Sequence, residues 1–160
     1  MNVDFIKHSK NIKNKKIRFK VLDKLIERFI PFNRGLNFKI IEISDEKVVV
    51  ESPENTRRKN HVGGAHACAL ALLGEYPAGI YIASKYPPNK YRFIISALEI
   101  EYIKQGKGRL KSVCLTPNAF PEIKDGEGWA HMVTQIFNEK DEEIATCKTR
   151  WQIKEWTLVK

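Results

Sequence analysis

The sequence predicts an α+β domain in which an antiparallel sheet of about six strands wraps around one central buried helix. Residues 62–76 are apolar on nearly every side, which is typical of a helix buried on all faces. After residue 90 the chain consists of long strand-like segments separated by turns. An amphipathic stretch near the N-terminus predicts an extra helix. One central helix against mostly antiparallel strands is an α+β architecture.

The first fourteen residues are predicted to form a basic, flexible leader ahead of a single domain at 15–160. They show little apolar periodicity. Residues 1–35 hold ten Lys/Arg against three Asp/Glu, a net +7 of the total +9. Such a stretch can attract a polyanion. The basic residues are not interleaved with aromatic ones and no nucleic-acid-binding motif is present, so the pattern favours a solvated leader and no nucleic-acid partner.

The remaining elements can be assigned from periodicity and turn residues. Apolar residues recur every three or four positions from Ile17 to Phe29, which predicts a helix that stops before Pro31. Pro77 is expected to bend or end the buried helix. The strands are predicted at Asn37–Ser44, Lys47–Ser52, Tyr91–Lys104, Arg109–Thr116, Trp129–Phe137 and Glu143–Ile153. In the third of these strands, apolar residues alternate with glutamates.

Composition indicates a soluble protein of a reducing compartment. The cysteines Cys68, Cys114 and Cys147 stand singly in apolar segments, so we expect small buried hydrophobic residues. The N-terminus lacks the apolar region of a secretory signal. Residues 62–83 approach the length of a membrane span, but the ionisable residues, glycines and proline within them argue against one. We therefore expect a cytoplasmic protein without stable membrane insertion.

Glu75 and His66 are the most informative residues, because they are ionisable and lie in the predicted buried helix. Burying an unpaired carboxylate costs several kcal/mol or raises its pKa, so such a group indicates a functional site. The alternative is that Glu75 reaches solvent at a frayed helix end just before Pro77. The residues alone leave both interpretations open.

The spacing around these residues resembles that of a known family. His66 and Ala67 follow Asn60 by six and seven residues, and Glu75 follows His66 by nine. Together with the layout, this resembles the hot-dog fold, and more narrowly the acyl-CoA thioesterases related to phenylacetyl-CoA thioesterase. It is also similar to a branch of hot-dog domains whose function is mostly unassigned. The similarity covers about residues 33–153. Ala67 stands where Gly is usual, and Glu75 where many members have Asp.

The resemblance implies hydrolysis of an acyl-CoA or a similar thioester. It implies that Asn60 helps to hold the acyl group or water, that His66 shapes the mouth of the pocket, and that Glu75 is a general base or nucleophile. Ala67 lies in the first turn of the predicted helix, where free N–H groups and the dipole suit an oxyanion. Taken alone, Asn60 is typical of a capping or loop residue, and His66 of a core histidine.

Five neighbouring residues are expected to bind substrate. Arg57, Arg58 and Lys59 precede the motif and could meet the phosphates of coenzyme A, although a charge run in a loop is usually solvated. Gly63 and Gly64 lead into the helix and are expected to contact the substrate as well.

Helix geometry predicts that two chains share each site. His66 and Glu75 are separated by about 900° of rotation, half a turn net, and by roughly 13 Å along a regular helix. They should point from opposite faces, so we expect a homodimer or a dimer of dimers (a homotetramer) with composite sites. A helical metal site usually has two ligands four residues apart, and no two of His61, His66 and Glu75 have that spacing. We therefore expect no metal or redox cofactor.

Two rival functions remain. The first is a non-catalytic acyl-ligand or acyl-CoA binding module, because the Ala67 methyl group could crowd the substrate. The second is a basic adaptor for nucleic acid or membranes, which depends only on the leader.

Overall fold

The computed structural model describes residues 5–9, 11–117 and 120–159. Over these residues the chain forms three α-helices and six strands, joined by short 3₁₀ turns such as Pro31–Asn33 and Thr56–Arg58. The helices are α1 (Phe5–Ser9), α2 (Lys15–Phe29) and α3 (Ala67–Lys85). The strands are β1 (Lys39–Ile43), β2 (Lys47–Ser52), β3 (Tyr91–Tyr102), β4 (Leu110–Leu115), β5 (Glu127–Phe137) and β6 (Glu143–Glu155).

The six strands of the described chain form one antiparallel sheet in the order β1-β2-β4-β5-β6-β3. The sheet packs on α3, which contacts β2, β4, β5 and β6. The predicted α+β fold is therefore confirmed, with each predicted strand present to within a few residues. Cys114 and Cys147 are buried as predicted, whereas Cys68 is exposed because it lies at the open start of α3.

The central helix continues through Pro77, so the prediction that the proline could end it is wrong, while the predicted bend stays a prediction. A proline inside a helix removes one backbone hydrogen bond. Here the residues on either side, Tyr76 and Ala78, are fully packed, and burial on both sides of the proline offsets that loss. By length and composition α3 could cross a membrane, but half of its most apolar window is buried inside this domain.

The amphipathic helix α2 is capped at its N-terminus by Asn14, whose side-chain Oδ1 accepts hydrogen bonds from the N–H groups of Lys16 and Ile17. It ends at Phe29, as the periodicity predicted. Its buried face centres on Phe19 and Leu22, while Ile17 stays exposed. The stripe facing the core is therefore narrower than the sequence pattern indicated.

Part of the stretch predicted to be a flexible leader is packed against the domain. Residues 5–9 form α1, in which Ile6 and Ser9 are buried. The helix contacts both α2 and α3. The apolar positions of this stretch are too irregularly spaced to reveal a period in the sequence, although Ile6 joins the core. Residues 1–4 of the leader, and Lys10, lie outside the described residues.

Strand β3 lies at one edge of the sheet and is exposed along most of its length. Leu98 and Tyr102, on the apolar side of the predicted alternation, are 39% and 47% exposed. The alternation therefore does not separate a buried face from a solvated one. A twelve-residue edge strand with exposed apolar side chains is a template for pairing with another strand.

Asp23 fastens α2 to the sheet. Its Oδ1 accepts a hydrogen bond of 3.0 Å from the N–H of Ile40, next to a bulge in β1. Burial raises the pKa of Asp23 to about 6, an effect that the hydrogen bond from Ile40 opposes and that the nearby charge of Glu27 reinforces.

This carboxylate gives the first testable prediction. Because the folded-state pKa lies above the unfolded value, folded chains bind more protons, and stability falls as pH rises from about 4 to about 6. Asp23→Asn keeps an oxygen for the Ile40 N–H and removes the buried charge. We expect its Tm to exceed that of the parent by a few degrees at neutral pH, with the gain vanishing near pH 4. The control is Glu122→Gln at an exposed position, and a lower Tm of Asp23→Asn at neutral pH would contradict the prediction.

Candidate active site

Asn60 organises the loop before α3 through hydrogen bonds to its own neighbours. Its Oδ1 accepts from the N–H groups of Val62 and Gly64 at 3.1 Å each, and its Nδ2 donates to the carbonyl of Ala65 at 3.4 Å. Such bonds from an Asn side chain to nearby backbone are typical of a tight loop. The arrangement matches the loop-residue alternative for Asn60, and it fixes the chain that leads into α3.

The two glycines in this loop are explained by backbone geometry. Gly63 has a backbone φ of +78°, which residues other than glycine rarely adopt. Gly64 is buried against the side chain of Gln105, where a Cβ would come within 2.7 Å of it. Both therefore shape the loop, and their predicted contact with substrate stays a prediction.

His66 caps α3 and Ala67 is its first residue. The Nδ1 of His66 accepts a hydrogen bond of 3.1 Å from the N–H of Cys68, so the proton of the neutral ring belongs on Nε2. The imidazole is exposed, so the core-histidine alternative is wrong. The N–H of Ala67 is one of those that a helix leaves without an intrahelical acceptor.

The start of α3 opens onto a broad depression of about 650 Å³. Asn60, Ala67 and Leu70 line it from one side, and Tyr102 and Gln105 from the other. The hydroxyl of Tyr102 donates a hydrogen bond of 3.0 Å to the carbonyl of Ala67. This contact ties the edge strand to the helix start and uses the carbonyl of Ala67, not its N–H.

Glu75 lies at a different place, in the wall of an apolar cavity of about 280 Å³. Burial raises the pKa of its carboxyl above the usual value. The side chain is half-buried, and desolvation is the only cause resolved for the raised pKa among the described residues. The helix continues beyond it, so the alternative of a frayed helix end is wrong. A carboxylate that is partly desolvated in an apolar wall is costly to keep ionised, which makes Glu75 a candidate functional residue.

One chain does not bring these groups together. Asn60 and Ala67 line the open depression, whereas Glu75 lines the apolar cavity. Eight residues of α3 separate Ala67 from Glu75, which is about 12 Å along the helix axis. The two halves of the predicted site therefore belong to separate cavities of the same chain.

The three basic residues before the motif have different environments. Arg57 is exposed, and Lys59 forms an ion pair of 2.7 Å with Glu54. Arg58 is only 3% exposed, and its guanidinium donates to the carbonyl of Gly108. Burial lowers the pKa of Arg58. Arg58 therefore holds the loop between β3 and β4, and the expectation that it reaches a phosphate at the rim is corrected.

Sequence reasoning missed two residues of these cavities. Tyr102 was assigned only to strand alternation, and nothing in that pattern indicated a bond to the helix start. Asn33 lies within a 3₁₀ turn and is 4% exposed at the wall of the Glu75 cavity. A lone Asn after a proline is typical of a turn, so its burial had no signal in the sequence.

The antiparallel sheet around α3, with helices added at the N-terminus, defines the protein as a hot-dog-fold domain. The chain belongs to the DUF4442 family, a domain of unknown function, whose model matches residues 19–153. No curated protein matches the chain. The narrower resemblance to phenylacetyl-CoA thioesterases stays a prediction.

Several solved structures share this fold at low sequence identity. PA5026 from Pseudomonas aeruginosa, a probable thioesterase, has a TM-score of 0.74 at 18% identity, over 85% of this chain and 95% of that one. A mutant of the thioesterase SAV0944 from Staphylococcus aureus gives 0.67 at 19% identity, over 78% and 98%. A mutant of the thioesterase PA1618 from Pseudomonas aeruginosa gives 0.71 at 10% identity, over 89% and 96%.

Proposed function

We propose that this protein hydrolyses an acyl-CoA or a similar thioester, with the Glu75 carboxylate as its base. The observation that carries the proposal is the partly desolvated carboxylate of Glu75 in the wall of an apolar cavity. An apolar cavity with one reactive polar group is suited to an acyl substrate. The similarity to proteins described as thioesterases supports the same reaction class.

In the proposed reaction Glu75 takes a proton from water, and the water oxygen adds to the thioester carbonyl carbon. The oxygen of that carbonyl becomes an oxyanion, for which the Ala67 N–H is the proposed donor. The C–S bond then breaks, and the leaving thiolate takes the proton from Glu75. A raised pKa makes the carboxylate a stronger base than an exposed glutamate. Direct attack by the carboxylate, followed by hydrolysis of the anhydride, uses the same residues.

We assign positioning roles to the remaining motif residues. Asn60 holds the loop that sets the direction of the first N–H groups of α3, and His66 caps that helix with its Nε2–H facing outwards. Arg57 and Lys59 remain candidates for the phosphates of coenzyme A, since both lie on the surface near the depression. Arg58 is left out because it is buried.

We further propose that the site is shared between two chains that pair along β3. Pairing of the two edge strands would continue the sheet from one chain into the other. Tyr102 is the last residue of β3, and its hydroxyl is hydrogen-bonded to Ala67. A chain added at this edge would therefore lie next to the start of α3. Such a partner can bring its own Glu75 towards the Ala67 N–H, which one chain alone does not do.

The direct test is a hydrolysis screen over short, long and aryl acyl-CoAs, followed by release of free thiol. We expect turnover for at least one acyl class, with saturation kinetics. Saturable binding of acyl-CoA without thiol release would instead select the non-catalytic binding module. Neither binding nor turnover by any acyl-CoA would contradict both.

A further inference from the structure

The cavity beside Glu75 is built by elements that lie outside the motif. Its floor comes from α3 through Gly79 and Ala83 and from the sheet through Phe93 and Trp151. Its cover comes from Ile6 of α1 and from Leu22, Ile26 and Ile30 at and after α2. The N-terminal helices therefore enclose an apolar space on α3, with a single carboxylate in its wall.

Three further residues with polar side-chain atoms line this cavity, Asn33, Tyr76 and Trp151, and the Nε1–H of Trp151 is already donated to Thr149. Asn33 lines it, and the Oδ1 of Asn33 is buried without a hydrogen-bond partner in the described part of the chain. An unmade hydrogen bond at a buried acceptor costs about 1–3 kcal/mol. A ligand that donates a hydrogen bond to Oδ1 would recover this cost.

We infer that this cavity holds the acyl chain of the substrate, and that Asn33 recognises a hydrogen-bond donor such as a hydroxyl group on that chain. The link to a thioester rests on the proposed function of Glu75. The ligand class is an aliphatic acyl group of moderate length, because most of the lining is aliphatic. The size agrees, since an apolar cavity of about 150 Å³ holds a benzene ring and this one measures about 280 Å³.

The first experiment measures binding by calorimetry with two probes, 1-octanol and 1,8-octanediol, so that turnover is not needed. We expect the parent to bind both at one site per chain. Ala83→Phe fills the cavity and should weaken 1-octanol binding about ten-fold or more. Ser84→Phe adds the same ring to the next residue of α3, outside the cavity lining, and should bind as the parent does. Equal binding by the parent and Ala83→Phe would overturn the assignment of the cavity.

The role of Asn33 is tested with Asn33→Leu. This variant should bind 1-octanol within a few-fold of the parent, because the single hydroxyl can face Glu75. It should bind the diol about ten-fold more weakly, because one hydroxyl is then buried without a partner. Its Tm should not fall, since the substitution removes an unsatisfied buried acceptor. An unchanged ratio of the two affinities, or a large loss of Tm, would show that Asn33 binds water or stabilises the fold and does not recognise the ligand.

The second experiment separates this inference from the proposed function. With octanoyl-CoA, Ala83→Phe should lower kcat/KM about ten-fold and shift the chain-length profile towards shorter acyl groups, whereas Ser84→Phe should leave the profile unchanged. If hydrolysis depends on Glu75 but its preference for acyl-chain length is the same in the parent and in Ala83→Phe, the cavity inference is overturned and the proposed function stands. Binding of 1-octanol that responds to Ala83→Phe, without hydrolysis of any thioester, would overturn the function and leave the cavity standing.

Discussion

Glu75→Gln should lower kcat for acyl-CoA hydrolysis by about 10²-fold or more while the fold is retained. The amide is nearly isosteric with the carboxylic acid but cannot accept a proton from water, and loss of a general base has an effect of this order. The measurement is thiol release under saturating acyl-CoA. Glu122→Gln is the matched control, because it makes the same change at an exposed site outside both cavities.

The same variant makes a second, opposite prediction for stability. Because burial raises the pKa of Glu75, the ionised form is unfavourable in the folded chain, and stability is lost as pH rises above the unfolded pKa. Glu75→Gln removes this penalty, so its Tm at neutral pH should equal or exceed that of the parent. A residue kept for activity at the expense of stability behaves in this way.

The pH dependence of hydrolysis by the parent should also report the raised pKa of Glu75. Since the base is active only when deprotonated, kcat/KM should fall as the pH drops through the raised pKa of Glu75, above the usual 4.5. Activity of Glu75→Gln within a few-fold of the parent, or a large drop in its Tm, would identify Glu75 as a structural residue.

The features that the sequence predicted well are those set by local patterns. The apolar run before Tyr76 predicted a central helix, and Glu75 within it is half-buried with a raised pKa. The periodicity up to Phe29 predicted that α2 stops before Pro31, as it does. In each case the signal lies within one element, where side-chain period and burial are directly related.

The features that escaped prediction depend on contacts between distant segments. The exposure of β3 follows from its place at the sheet edge, which alternation within the strand does not encode. The continuation of α3 through Pro77 depends on packing from the strands around it. The burial of Ile6 and Asn33 depends on how α1 and α2 pack against the rest of the domain. Local propensity is a weak guide where such tertiary contacts decide.

A shared active site predicts complementation between two inactive variants. Ala67→Pro removes the proposed oxyanion donor with little effect on the helix, because proline is favoured at the first helical position. The preceding His66 already has the extended backbone (φ −65°, ψ 143°) that a following proline requires. Glu75→Gln removes the base. Each variant alone should lack turnover, and circular dichroism should show both folded.

Mixing the two chains should restore about a quarter of parental activity if each site takes Ala67 from one chain and Glu75 from the other. In a 1:1 mixture half of the dimers are mixed, and by symmetry one of the two sites in each mixed dimer is intact. A site contained in a single chain predicts no recovery, because every chain carries one defect. The control is a mixture of Ala67→Pro with a chain carrying both substitutions, which should stay inactive. Proof of subunit exchange by mass spectrometry without recovered activity would rule out the composite site, since no site would then combine the Ala67 N–H of one chain with Glu75 of the other.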